Sequence, residues 1–286
     1  MDELLVPFQY QFMTRAIWIS ALVGAMCAFL SCYLMLKGWS LMGDALSHAI
    51  VPGVAIAYLM GAPYAIGAFF AGIIASGGMA AVRQQTRLKE DAVIGLVFTT
   101  FFAAGLLIAS MYPTSVSIQT IIHGNILAIS DGDAAQVVAI AVVTLGVLGV
   151  MWKDLAAVFF DEAHARSIGL NPRLLTVLFF ALLSAATVAA LQTVGALLVI
   201  AMVITPGATA YLLADRFDRL IAIAVAIGAV TGGLGAYLSY FLDGATGGVI
   251  VLLQTSVFLV AFVFAPKHGL LAGRRLQAGT TSGSRS

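Results

Sequence analysis

The chain has 286 residues, of which 61% are hydrophobic and only 9% charged, with a formal net charge of +1. A soluble domain carries roughly 25% charged residues, so these side chains cannot clothe a water-facing surface, and the solvent must be mostly lipid. A charge so close to zero also offers no basic patch, which excludes a nucleic-acid partner.

The first apolar run, 16–36, is longer than the roughly 7–15 residues of a signal-peptide core. Asp2 and Glu3 precede it where a leader would be basic, so it reads as a membrane span. Cys27 and Cys32 lie within it, five residues apart. That spacing fits neither a redox pair nor a zinc ligand set, and both read as small hydrophobes.

Further apolar runs follow at 41–60, 63–82, 92–111, 134–152, 174–192, 194–212, 220–240 and 249–265. About 20 apolar residues cross the hydrocarbon core. The expected fold is therefore an all-α polytopic bundle of about nine membrane helices, or eight if one short segment is re-entrant.

Orientation follows from the basic residues, which concentrate on the cytoplasmic side of a membrane protein. Arg83, Arg87 and Lys89 share one connection; Lys153, Arg166 and Arg173 fall around a second; Arg216 and Arg219 mark a third. The intervening segments 112–133 and 241–248, and the turns near 62 and 193, have no Lys or Arg and read as external. Arg15 and Lys37 bracket the first span and leave the side of the N-terminus open. On this scheme the second span runs outward, so Asp44 begins near the cytoplasmic end. Within 112–133, apolar residues from Val116 to Ile129 suggest a short amphipathic element at the interface, and His123 there reads as structural.

Three stretches carry chemistry. In Gly43–Gly53, Asp44 and His48 stand four apart and so share one helical face. They are the only ionisable side chains, tyrosines and cysteines aside, in the apolar part of any predicted span. A carboxylate there is costly unless it faces water or a partner, and such groups are functional by default. Carboxylate oxygen with imidazole nitrogen suits Mn²⁺, Fe²⁺ or Zn²⁺, and two ligands hold an ion loosely enough to let it leave. Two copies meeting on an axis would supply four ligands. Pro52-Gly53 would bend the helix and free backbone carbonyls. The plainer alternative is an Asp–His hydrogen bond that fastens two helices.

Phe159–Pro172 reads as a short cytoplasmic helix: Asp161 and Glu162 suit its first turn, His164 and Arg166 follow, and Gly169 can close it. Such a helix can enter a groove on a cytosolic partner, or simply pack on its own bundle. In Val194–Ala210, Thr205-Pro206-Gly207 interrupts the hydrogen-bond ladder and the small residues after it permit close packing, beside a path or within the bundle. Walker A, H-E-x-x-H and G-x-S-x-G motifs are missing, so any ATP hydrolysis would belong to another polypeptide.

At these residues the sequence resembles the permease subunit of the ABC-3 family of ABC importers for divalent metals (manganese, iron, zinc). Gly43–Gly53, Asp161–Pro172 and Gly195–Ala210 match its most recognisable segments in order. Leu34–Ser40 and His123–Ala128 also fit. Leu34–Ser40 and Ala265–Gly269 place it nearest the manganese/iron branch.

The resemblance implies a type II importer permease-like fold, with a transmembrane permease domain over 1–271 and a disordered cytoplasmic tail over 272–286. It implies a bacterial cytoplasmic membrane location and a second permease subunit, identical or related. It also implies a cytosolic ATPase pair docking on Asp161–Gly169, with Glu162, His164 and Arg166 between, and an extracytoplasmic metal-binding protein. Asp44 and His48 become the metal-coordinating gate. The ion is cargo rather than a resident cofactor. The rival from the residues alone is a proton-coupled secondary transporter using Asp44 and His48 as a relay.

An imidazole ligates only when neutral. Metal uptake is therefore expected to weaken as the medium is acidified through the range in which imidazoles titrate, and flat uptake across that range would count against a histidine ligand.

Overall fold

The computed structural model describes residues 5–39, 41–86, 88–112, 126 and 129–265. Residues 113–125 with His123, the Pro266–Gly269 stretch and the tail from Ala272 lie outside the described residues. The described residues form helices and no strand: α1 (Val6–Gln9), α2 (Gln11–Lys37), α3 (Met42–Ala49), α4 (Val51–Leu59), α5 (Tyr64–Gln85), α6 (Glu90–Met111), α7 (Asp131–Phe160), α8 (Glu162–Ser167), α9 (Pro172–Val194), α10 (Ala196–Leu213), α11 (Phe217–Leu242) and α12 (Thr246–Phe264).

Among the described residues, 8 helical segments are long and apolar enough to cross a membrane, α3 and α4 together forming one of them. The ninth apolar run, 194–212, falls on α10. That helix has 18 residues, as many as the span that α3 and α4 form together, and is about 27 Å long at 1.5 Å per residue. By contrast α7, at 30 residues, is about 45 Å long and carries Lys153 and Asp154 in its last turns.

The chain forms two compact units, residues 1–35 with 201–286, and residues 36–200. In the first, helices meet at small residues. A Cβ on Gly24 would strike the Gly228 carbonyl, one on Gly228 would strike that of Gly24, and one on Gly232 would strike Ser20. Lipid tails are as apolar as the side chains, so close van der Waals approach must hold α2 to α11. Cys27 and Cys32 are both free and buried here, as small hydrophobes are.

The first unit also contains the break at Pro206. Proline leaves a gap in the ladder of α10. Ser31 of α2 packs at this break: its hydroxyl donates to the Ile204 carbonyl at 3.0 Å and accepts from the Gly207 N–H at 3.0 Å. Gly207 is required because any Cβ would meet Ser31. This stretch therefore packs within the bundle.

In the second unit, α4 is gripped from two sides. Gly53 and Gly67 of α5 face one another so closely that a Cβ on either would strike the other's carbonyl. A Cβ on Gly105 of α6 would come within 2.8 Å of the Pro52 nitrogen. Helix α9 packs against α7, α5 and α3.

Helix α8 and the end of α2 lie at one end of this unit, around a shared cavity lined by Lys37, Ala80, Val93 and Arg166. By the charge pattern of the sequence, that end is the one expected to be cytoplasmic.

Ser31→Ala removes two hydrogen bonds to the α10 backbone, and Gly67→Leu drives a side chain into the α4 backbone. Each is expected to cost about 1–3 kcal/mol, read as a lower thermal unfolding midpoint of the detergent-purified protein. Unchanged midpoints would show that neither contact holds the bundle.

Candidate metal gate and coupling helix

Helix α3 has 8 residues, and Met42, Gly43, Ala45, Leu46, Ser47 and Ala49 are buried. The two that are not are Asp44 and His48. The His48 Nε2 lies 3.5 Å from the Asp44 Oδ1, with the side chains 21% and 37% exposed respectively. The i, i+4 spacing delivers the face that the sequence leads one to expect. A carboxylate left open on a membrane helix must face water or protein rather than lipid.

The surroundings of His48 are apolar on one side. The rings of Phe98 and Phe102, one turn apart on α6, have centroids 5.5 Å from the imidazole. The Ser47 hydroxyl turns back to the Asp44 carbonyl at 2.7 Å, leaving the carboxylate to His48 and the opening. Helix α3 ends at Ile50 and α4 starts at Val51, with Pro52 in its first turn. Pro52 has no N–H to offer the carbonyl four residues back, which is that of His48 itself. Oxygen and nitrogen donors thus converge on one exposed strip. Among the described residues no group of three or more His, Cys, Asp or Glu is placed to hold a metal ion; Asp44 and His48 stand here as a pair.

Met42, two residues before Asp44, lines that cavity, so the pair stands near the end of its span that adjoins it.

Helix α8 is built as the sequence leads one to expect. The Asp161 carboxylate caps it, accepting from the Ala163 N–H at 2.8 Å and the His164 N–H at 3.1 Å. These backbone donors, His164 first, hold the Asp161 carboxyl below its ordinary range, with the His164 and Lys37 charges adding to the effect. Glu162 and Arg166 pair across one turn at 3.4 Å. Gly169, at φ +87°, ends the helix, with Gly169 N–H to the Arg166 carbonyl at 3.1 Å and Leu170 N–H to the Ala165 carbonyl at 3.0 Å. Every α8 side chain except Ala165 is exposed, and so are the flanking Phe160 and Ile168. The structure does not bring Asp161–Gly169 into one cluster with Asp44 and His48; they are two separate sites.

Between them lies a group that the sequence reading did not single out. Trp39, just before α3, stacks on Phe180 of α9 at 5.5 Å and meets Phe159 of α7 edge-on at 5.6 Å. Phe159 also packs on Phe179 at 4.7 Å. These rings join both flanks of α8 to the strand of chain that leads into α3. Partners 120 or more positions apart leave no periodic signal.

Residues 9–265 match the ABC 3 transport family. The chain is 68% identical over 274 residues to the chelated iron transport system membrane protein YfeC of Yersinia pestis, covering 96% of this chain and 93% of that protein. It is 49% identical over 269 residues to the manganese transport system membrane protein MntB of Synechocystis sp., covering 94% and 88%. The solved structure of PsaBC from Streptococcus pneumoniae in complex with Fab superimposes with a TM-score of 0.84 at 34% identity, over 93% of this chain and 97% of that one.

Because the Asp161 carboxyl titrates lower in the folded chain than in the unfolded one, its capping is fully present above the ordinary carboxyl range, about pH 3.9. It is lost only as pH falls through the lowered value. Hydrogen exchange at Ala163 and His164 should stay slow down to that point in the wild type and be fast at neutral pH in Asp161→Ala. Equal exchange in the two proteins would remove the cap from the account of α8.

Proposed function

Since the chain belongs to the ABC 3 transport family, we propose that it is the membrane permease of an ATP-binding-cassette importer for a divalent transition metal, manganese or iron. It would receive the ion from an extracytoplasmic binding protein and release it to the cytoplasm, working in the bacterial cytoplasmic membrane beside a second permease and a pair of cytosolic ATPases. The observation that carries the reading is the paired exposure of Asp44 and His48 on an otherwise buried helix. Two such strips facing each other supply two carboxylates and two imidazoles, a set suited to Mn²⁺ or Fe²⁺. Zn²⁺ is chemically admissible to the same ligands, but the relatives above carry iron and manganese in their names.

The geometry supports a route from ATP to ion. Exposed α8 offers the ATPases a charged helix flanked by Phe160 and Ile168. It is joined directly to α7 and, through the Gly169–Asn171 turn, to α9. Trp39, held between Phe159 and Phe180, passes a displacement of either helix into the segment that precedes α3. Asp44 lies five residues further on. Moving α3 by a fraction of a turn changes the ligand set, and a loosely held ion leaves.

Competitive uptake of Mn²⁺ and Fe²⁺ by metal-starved cells tests this, with the chain expressed beside its ATPase and binding protein. Asp44→Ala and His48→Ala should each lower uptake at least about 10-fold with normal membrane levels. Trp39→Ala should lower uptake while the ATPase still co-purifies. Undiminished uptake in both ligand variants, or uptake that survives ATP depletion with the proton gradient held, would overturn the proposal.

A further inference from the structure

A cavity of about 880 Å³ opens at the cytoplasmic end of the second unit, between α5, α6, α8, α9 and the segment before α3. Among the described residues its charged lining is Lys37, Arg166, Arg173 and Glu162, three cations to one carboxylate. Glu162 is engaged by Arg166 at 3.4 Å. Asp161, whose Oδ1 caps α8, lies near enough to act on the Lys37 charge but is not part of the lining, so Arg173 and Lys37 leave the lining net positive. The N-terminal turns of α9, a 23-residue helix, also line the cavity through Pro172, Arg173 and Thr176 and add their positive end. The walls are apolar, from Ile73, Met79, Val93, Ile94 and Phe180.

A cationic rim over an apolar interior is the wrong lining for a metal cation's exit, because it repels the cargo. It is the right lining for an amphiphile with an anionic head. The rim lies where the basic residues put the cytoplasmic headgroup layer, and the walls continue toward the hydrocarbon. Basic pockets between membrane helices on that side recognise anionic phospholipids, and the volume is ample for a headgroup with the upper part of its acyl chains. We propose that this cavity is a specific binding site for an anionic phospholipid, with Lys37 and Arg173 on the phosphate and the α5, α6 and α9 walls around the acyl chains. A lipid there touches α8, α9 and Trp39 at once, so it would tune the connection between the coupling helix and α3. The inference rests on the cytoplasmic assignment of this end and is independent of which metal is carried.

The full-length permease, purified in mild detergent, is offered equal amounts of phosphatidylglycerol and phosphatidylcholine and weighed by native mass spectrometry. Wild type should retain phosphatidylglycerol preferentially. Lys37→Gln with Arg173→Gln should lower that retention about 10- to 30-fold. A second variant guards against misfolding: Gly77 lines the cavity, and a Cβ there would meet nothing within 4 Å. Gly77→Leu should therefore fill the cavity and lower retention with no drop in thermal midpoint. Equal retention of the two lipids, or variants that retain as much as wild type, would overturn the proposal. Displacement of the lipid by millimolar inorganic phosphate would reassign the site to a free oxyanion. Loss of a co-expressed ATPase from the double variant, with lipid retention intact, would reassign it to the protein partner.

Discussion

An ionised carboxylate inside a membrane span costs several kcal/mol unless water, protein or an ion compensates it. Asp44 is such a group, 37% exposed on a helix whose other residues, His48 excepted, are buried. The surrounding unit is arranged to keep that strip open and in place. Gly53, Gly67 and Gly105 hold α4 against α5 and α6, while Phe98 and Phe102 fix one side of the His48 ring. Pro52 interrupts the ladder one turn above His48. Remove the carboxylate and these devices would serve an ordinary apolar helix.

The rest of the bundle is held differently. Between apolar helices in lipid there is little hydrophobic gain, so contact must come from close approach and from satisfied backbone groups. The Gly24–Gly228 crossing supplies the first, and the Ser31 bridge to Ile204 and Gly207 the second. The same economy makes the aromatic group around Trp39 conspicuous: large rings spanning three segments make a stiff joint, and this one stands between α8 and α3. On the proposed function, such stiffness would carry a cytosolic event toward Asp44 and His48.

Much of the fold was legible in the chain. The apolar runs placed the spans because a helix must satisfy its own backbone in lipid, and few charges interrupt it. The Asp44–His48 pair was legible because spacing on a helix is geometry. The boundaries of α8 were legible too, since Asp161, Gly169 and Asn171 act locally, within a turn or two of themselves. The charge pattern of the flanking connections led one to expect Asp44 near the cytoplasmic end, whereas the cavity that Met42 shares with Lys37 was not legible.

By itself, then, the sequence determined that the chain lives in lipid, where its helices run, and which ionisable pair stands within them. Each of these depends on composition, on period or on contacts within one helical turn. Only the tertiary structure decided that Ser31 bonds to the backbone of α10 across 173 positions, that Trp39 bridges Phe159 and Phe180, and that Lys37 and Arg173 share one cavity. The reason is physical: such contacts are selected by how helices cross, and crossing depends on shapes distributed over the whole bundle.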